Sequence, residues 1–453
     1  MSQHDVVVIG AGPAGEVCAG QLATEGLDVA LVERELIGGE CSFWACMPAK
    51  ALLRPGALRG EVGRVPGVGA ADMGGLDVAA VLTRRDEVIH DLDDAAQITW
   101  VKERGIALVR GEARLDGERR VRVGDELLQA RRAVVIAVGS GAVIPPIPGL
   151  AEISPWTNRA ATTAKVVPRR LSVLGGGAVG CELAQAWSSL GTAVTLIEAM
   201  PQLLTGEEPF ASEQLAESLR TQGVDVRLGA TASAAARDGE EFVLTLDGGE
   251  LILSDELLVA VGRRPQTDQL GLESVGLKPG ATVGVDDQLR VPGHDWLFAV
   301  GDVNGRALLT HAGKYQARVA CAAIMNRPAR AQWDGVLSPR VVFTEPQIAA
   351  VGQTLEQALA AGIAARAVDA DPERTAAGSF VGKGATAGAR LVIDEQRRVI
   401  VGATFTGPDV AEWLHGVTIA IVGEVALERL IHVIPAFPTR SEIWLRLLAD
   451  WDF

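Results

Sequence analysis

Asp5-Val6-Val7-Val8-Ile9-Gly10-Ala11-Gly12-Pro13-Ala14-Gly15 decides the fold of this 453-residue chain. A short apolar run that stops at glycine reads as a buried parallel strand, and a helical pattern follows it to about Glu25. The unit is strand, tight turn and helix. Gly10, Gly12 and Gly15 permit the turn, the close approach of a pyrophosphate and the packing of helix on strand, and the helix N-terminus offers N–H groups to phosphate. A second strand, Asp28 to Val32, ends at Glu33, where a carboxylate accepts from a ribose hydroxyl. Residues 5–33 therefore read as a dinucleotide seat.

The same pattern returns at Leu171 to Leu174, with Gly175, Gly177 and Gly180 in the turn, a helix to about Leu190 and a strand Ala193 to Ile197 ending at Glu198. A second dinucleotide is expected. Glu198 suits an unphosphorylated ribose, and no Arg follows it before Arg220 to receive a 2′-phosphate, so NADH is expected over NADPH. Between the two units, a strand Arg132 to Val138 runs into Gly139-Ser140-Gly141 and the proline-rich segment Ile144 to Gly149. A mirror crossing occurs at Leu257 to Pro265, after which Trp296 to Val300 ends in Gly301-Asp302. The second unit thus reads as an insertion in the first. From about Ser338 the pattern changes to alternating strands with two helices. The expected fold is α/β: a first dinucleotide-binding domain over 1–148 and 264–335, a second, NAD(P)-binding one over 149–263, and an α+β domain over 336–453.

Five residues after Glu33 begins Gly38-Gly39-Glu40-Cys41-Ser42-Phe43-Trp44-Ala45-Cys46-Met47-Pro48-Ala49-Lys50. A regular helix rises about 7.5 Å over five residues, and cysteines whose Cα atoms are more than about 7 Å apart bridge only if the backbone moves. The chain between Cys41 and Cys46 is therefore expected to bend if they bond, with Pro48 favouring an irregular approach. Met alone, such a pair reads as two unrelated buried thiols; beside a dinucleotide seat it reads as a redox pair working against a flavin. Cys18, Cys181 and Cys321 lack partners at useful spacing and read as small buried hydrophobes. No metal site is read.

A net charge of −15 opposes binding to phosphate backbones, so nucleic acid is excluded as a partner. No apolar run reaches the roughly 18 residues of a membrane span, and no charged-then-apolar leader precedes Asp5, which gives a cytoplasmic expectation. Five cysteines are too few for a disulfide scaffold in so long a chain.

Together these motifs resemble the class I pyridine nucleotide-disulfide oxidoreductases, the family of dihydrolipoyl dehydrogenase, glutathione reductase and mercuric reductase. Gly38-Gly39-x-Cys41-x4-Cys46-x-Pro48-x-Lys50 resembles the redox-disulfide signature, Gly301-Asp302 the second flavin motif, and Phe343 to Gly352 the start of the interface domain. The resemblance implies FAD as cofactor, Cys46 as the charge-transfer thiolate and Cys41 as the exchanging thiol. It further implies Lys50 near flavin N5 paired with Glu182, Asp302 on the ribityl hydroxyls, Gly139 among the cofactor positions, and a homodimer with active sites at its interface.

The chain departs from the family pattern in its C-terminal run. Where a His-Pro-Thr-x-x-Glu run supplies the acid-base, this chain has Phe437-Pro438-Thr439-Arg440-Ser441-Glu442. General acid-base catalysis is typically worth about 10² to 10⁴-fold, so dihydrolipoamide and glutathione chemistry are expected to be weak. His432 lies nearby but reads as structural. Glu40 and Ala45 replace the usual Thr and Gly, and the Glu40 charge is expected to disfavour the Cys41 thiolate. Phe43 and Trp44 read either as core or as a stacking surface for an aromatic acceptor. The leading expectation is an NADH- and FAD-dependent reductase acting on a quinone, dioxygen or an activated disulfide. Against it stand a dihydrolipoyl dehydrogenase proper, a ketopropyl-coenzyme M carboxylase-like C–S cleavage, and a non-enzymatic flavin redox sensor.

Overall fold

A computed structural model of the chain describes residues 1–67 and 74–451. Strand Ser2–Ile9 lies between Val29–Glu33 and Glu126–Ile136, parallel to both, with Val6 opposite Val29 and Ala133. Val6 and Val8 face a cluster that holds Leu22 of helix Pro13–Thr24 and Ala317 of helix Thr310–Ile324. Val7 and Ile9 face the opposite cluster, with Leu115, Val121 and Trp296. Burial on both faces is why this strand reads as an unbroken apolar run. Ala107–Arg110 completes one edge; Arg120–Val123 and Ala113–Leu115 extend the other as antiparallel strands, and Leu297–Ala299 pairs with Glu126–Ile136. That long strand begins earlier than sequence patterning indicates, because the turn at Gly124 folds Arg120–Val123 back onto its first half.

The second nucleotide unit is a four-stranded parallel sheet in the order Asp225–Leu228, Ala193–Glu198, Arg170–Leu174, Glu256–Val259. Helix Ala178–Ser189 buries Trp187 completely in its core. An antiparallel meander, Ala232–Asp238, Glu241–Leu246 and Leu251–Ser254, forms a separate three-stranded sheet. The C-terminal region is a five-stranded antiparallel sheet in the order Arg340–Val342, Gln347–Gly352, Val399–Gly407, Gly388–Asp394, Ala365–Ala370. Its described helices include Leu355–Ala360, Val410–Val422, Leu427–Leu430 and Ile443–Leu447, where patterning gives two.

By packing, the chain forms two units: residues 1–48, 85–143 and 262–338 make one, and residues 49–84, 144–261 and 339–453 the other. Among the described residues no helix is long and apolar enough to cross a membrane, and no group of three or more His, Cys, Asp or Glu is arranged to hold a metal ion.

Candidate redox site and nucleotide seats

At the first glycine loop, Gly10 has φ +97°, and a Cβ there would lie 2.5 Å from the Ala137 carbonyl oxygen, so any side chain would displace backbone. Above Gly12 nothing lies within 4 Å of such a Cβ. Gly12 is also the N-cap of helix Pro13–Thr24 and has no side-chain cap. Open space over an uncapped helix N-terminus fits a pyrophosphate. Glu33 is held in place: its Oε2 accepts from Ala11 N–H at 2.7 Å and its Oε1 from Glu35 N–H at 2.7 Å. With both oxygens oriented and lone pairs remaining, it is placed to accept from a ribose hydroxyl. The FAD expected from the sequence therefore finds residues that suit it.

Asp302 follows Gly301 in a short 3₁₀ turn. Its Oδ2 accepts from the Ser140 hydroxyl at 2.5 Å, next to Gly139, whose φ is +67°. Burial raises the Asp302 carboxyl, while Ser140 and Arg263 pull it down. Arg263 donates to Ser140 Oγ (2.8 Å) and Ser140 O (2.7 Å), and lies 3.5 Å from Glu40 and 4.0 Å from Asp302. The Glu40 charge is thus directed to a guanidinium.

The cysteine segment bends as its spacing requires. Helix Gly39–Phe43 ends, Trp44 takes φ −133°, and a new helix, Cys46–Arg64, begins. Pro48 occupies the first turn of that helix, where its missing N–H has no intrahelical use. Both cysteines are thiols here. A hydrogen bond with Cys46 pushes the Cys41 thiol up, burial adds to this, and the Thr310 hydroxyl and Lys314 ammonium act against it. Cys46 Sγ lies 3.5 Å from Thr310 Oγ1. Phe43 is core, 1% exposed, while half-buried Trp44 tilts against it at 5.7 Å.

In the second unit Gly175 repeats Gly10: φ is +112°, and a Cβ would lie 2.6 Å from Ala260 O. Gly177, like Gly12, is an uncapped N-cap with open space above it, and Gly180 packs on the Gly175 carbonyl. Glu198 accepts from Gly176 N–H at 2.6 Å and Met200 N–H at 2.8 Å. Lys50, four residues past Cys46 on the same helix, donates to both Glu182 oxygens at 2.9 and 2.7 Å. The Phe343 N–H also donates to Glu182, at 2.9 Å, and the Phe343 ring lies 4.8 Å beneath the ammonium. Glu182 is 6% exposed, and these partners replace the water its carboxylate gives up.

At the C-terminal turn Phe437 is 76% exposed, and Glu442 Oε2 is buried with no hydrogen-bond partner among the described residues. Ile434, 91% exposed, Val433, Ile419 and Leu445 are exposed with Phe437. His432 is exposed as well.

Sequence spacing missed Thr310, Lys314, Ser140 and Arg263, which no local motif marks. It also missed that Cys18 and Cys321 have a relation: their sulfurs lie 3.6 Å apart, buried, across 303 positions of sequence.

Residues 4–323 match the pyridine nucleotide-disulphide oxidoreductase family model, and residues 338–447 match its dimerisation domain. A dihydrolipoyl dehydrogenase of Haloferax volcanii is 31% identical over 97% of this chain and 94% of its own length. A mercuric reductase of Staphylococcus aureus is 29% identical over 97% and 81%. Among solved structures, the HOCl-induced flavoprotein disulfide reductase RclA of Escherichia coli superposes with a TM-score of 0.86 at 25% identity, covering 98% of this chain and 99% of that one.

Proposed function

We propose a function from one premise: the chain belongs to the pyridine nucleotide-disulphide oxidoreductases, flavin-dependent enzymes that use NAD(P)H. Within that family it passes two electrons from NADH to a small acceptor outside the lipoamide and glutathione class, a quinone, dioxygen or an activated disulfide. Bound FAD would supply the two-electron exchange between nicotinamide and the cysteine pair. Gly10, Gly12, Gly15, Glu33, Gly139 and Asp302 are the residues proposed to hold it. Gly175, Gly177, Gly180 and Glu198 are proposed to hold the nicotinamide nucleotide. The paired oxygens of Glu198 support NADH, since a 2′-phosphate would meet a carboxylate.

With a disulfide acceptor, Cys41 is proposed to exchange with it and Cys46 to close the disulfide afterwards; a quinone or dioxygen would instead take two electrons from the dithiol or the reduced flavin. Lys50, held by both oxygens of Glu182, is proposed as the cation that favours the reduced cofactor. The observation that carries the choice of acceptor is the C-terminal turn. Phe437 offers no proton, and Glu442, whose Oε2 has no hydrogen-bond partner among the described residues, finds Phe rather than His at position 437. The dimerisation domain supports a homodimer, with Phe437 and Glu442 completing the partner's site.

The test is an anaerobic NADH titration followed by an acceptor panel with NADH and NADPH side by side. Flavin bleaching by NADH, trace dihydrolipoamide turnover, and a large gain in that turnover on Phe437→His are expected. Substantial native lipoamide turnover overturns the acceptor assignment, and a flavin inert to NADH overturns the enzyme.

A further inference from the structure

Helix Gly39–Phe43, which carries Cys41, is pressed onto the first glycine loop. The Gly38 N–H donates to Ala11 O at 2.8 Å, and a Cβ on Gly39 would lie 2.9 Å from the Gly12 Cα. With its start fixed in this way, the helix brings Glu40 to Arg263, whose Nη2 lies 3.5 Å from Glu40 Oε2. In most of the family a neutral Thr stands at this position, so the contact between carboxylate and guanidinium is a feature of this chain.

Arg263 is held from the other side. Its strand, Arg263–Pro265, pairs with Ser140–Ala142, and the guanidinium donates from Nε to Ser140 Oγ and from Nη2 to Ser140 O. The Ser140 hydroxyl donates in turn to Asp302, which also stands 4.0 Å from Arg263. Four chain segments of one packing unit thus converge, and two carboxylates face one cation. Arg263 and Glu40 are each 21% exposed, so water screens them less than it screens a surface pair. The influence of Glu40 extends to the far end of the chain of contacts: burial raises the Asp302 carboxyl, Ser140 and Arg263 pull it down, and Glu40 pushes it up.

Resting on the function above, we propose that Glu40 is a positioning residue that poises the redox centre: it holds Arg263 and offsets the guanidinium charge at the flavin seat. The bound flavin is thereby a stronger two-electron donor than it would be with a neutral residue at position 40. Reduction brings negative charge onto the cofactor, so a cation at the seat favours the reduced form, and a cation shared between two carboxylates favours it less. Glu40 adds driving force to an electron transfer for which Phe437 supplies no proton.

The experiment measures a potential rather than a rate. FAD-loaded protein is equilibrated anaerobically, at one pH, with a dye of known two-electron potential, and absorbance gives the ratio of reduced to oxidised flavin. A Cys46→Ser background prevents the cysteine pair from taking electrons. Onto it are placed Glu40→Gln, which keeps the shape and removes the charge, Glu40→Asp, which keeps the charge, and Arg263→Gln.

Glu40→Gln is expected to shift the equilibrium toward reduced flavin by about tenfold, about 30 mV for a two-electron couple, with Glu40→Asp within about threefold of the parent. Arg263→Gln shifts it the opposite way. An unshifted Gln variant, a shift toward oxidised flavin, or an Asp variant that follows Gln overturns the proposal and leaves the enzyme assignment standing. Loss of flavin from Glu40→Gln without a displaced potential in the fraction that retains it makes Glu40 merely structural, and also overturns it. A parent protein that takes up no flavin, or whose flavin is inert to NADH, overturns it together with the function on which it rests.

Discussion

The two glycine loops are near copies, and the chain that follows each differs. In both, a strand-end glutamate receives two backbone N–H groups, from Ala11 and Glu35 at Glu33 and from Gly176 and Met200 at Glu198. In both, a later residue donates its N–H back to the loop carbonyl: Gly38 to Ala11 at 2.8 Å and Leu204 to Gly176 at 3.0 Å. After the first loop comes Gly39, pressed on Gly12 and leading to Cys41 and Cys46; after the second come Leu203 and Leu204, buried in an apolar core. On the proposed function, the shared loop seats phosphates in both units, and the segment laid over it sets which unit carries redox chemistry. Removing that chemistry is the largest expected effect. Cys46→Ser should lower acceptor turnover by at least about 10³-fold while NADH still bleaches the flavin, measured by stopped-flow absorbance.

Next come the loops themselves. Gly10→Ala and Gly175→Ala force a methyl against matched carbonyls, at 2.5 and 2.6 Å. Overpacking of this kind costs about 1 to 3 kcal/mol, a factor of roughly 10 to 100 in an equilibrium. Gly10→Ala should purify depleted in flavin, and Gly175→Ala should keep its flavin and raise the KM for NADH about tenfold or more. Equal flavin loss in both variants would erase the distinction between the two seats.

The position one past each third-glycine neighbour sharpens the contrast further. Val17 in the first helix matches Glu182 in the second, and only the second holds Lys50. Glu182→Gln keeps the shape and one acceptor but removes the countercharge. Lys50 is 35% exposed, so water offsets part of the loss. A fall of about tenfold in turnover is expected, with Val17→Glu giving no compensating gain.

What was legible in the sequence is what lies close along the chain. Gly10 to Gly15, Glu33, Cys41 and Cys46 belong to one continuous stretch, so spacing alone reports their geometry. The second loop was legible because it repeats the first. Arg263, Ser140 and Glu40 meet only because separate crossings end side by side, and the strand pairing of Ser140–Ala142 with Arg263–Pro265 that causes this has no periodicity to read. The charge on Glu40 was visible, but its direction toward Arg263 was not. Cys18 and Cys321 each looked solitary, since the packing of helix Pro13–Thr24 on Thr310–Ile324 sets their approach. Phe437 was legible as a departure, whereas the burial of Glu442 Oε2 without a hydrogen-bond partner among the described residues required coordinates.

The smallest expected effect compares Glu16 with its match in the second helix, Cys181. Both stand directly after the third glycine. Cys181 is buried, its thiol pushed further up by that burial, and it donates to Gly176 O at 3.3 Å, so it stays neutral across the working pH range. Glu16 does not: its carboxyl is at about 7 when folded against 4.5 as the ordinary value. A folded value above the unfolded one means that the folded state binds the proton more tightly. The stability this lends is complete below about 4.5 and is lost as pH rises through about 7. Glu16 is half-buried, and its access to solvent reduces the loss to on the order of 1 kcal/mol. Denaturant midpoints measured from pH 4 to pH 9 should therefore fall less in Glu16→Gln than in the native protein, with the difference opening between pH 5 and pH 8. Cys181→Ser should shift every midpoint alike and leave the slope intact. If the Gln variant kept the native slope, the Glu16 carboxyl would not be the group that titrates.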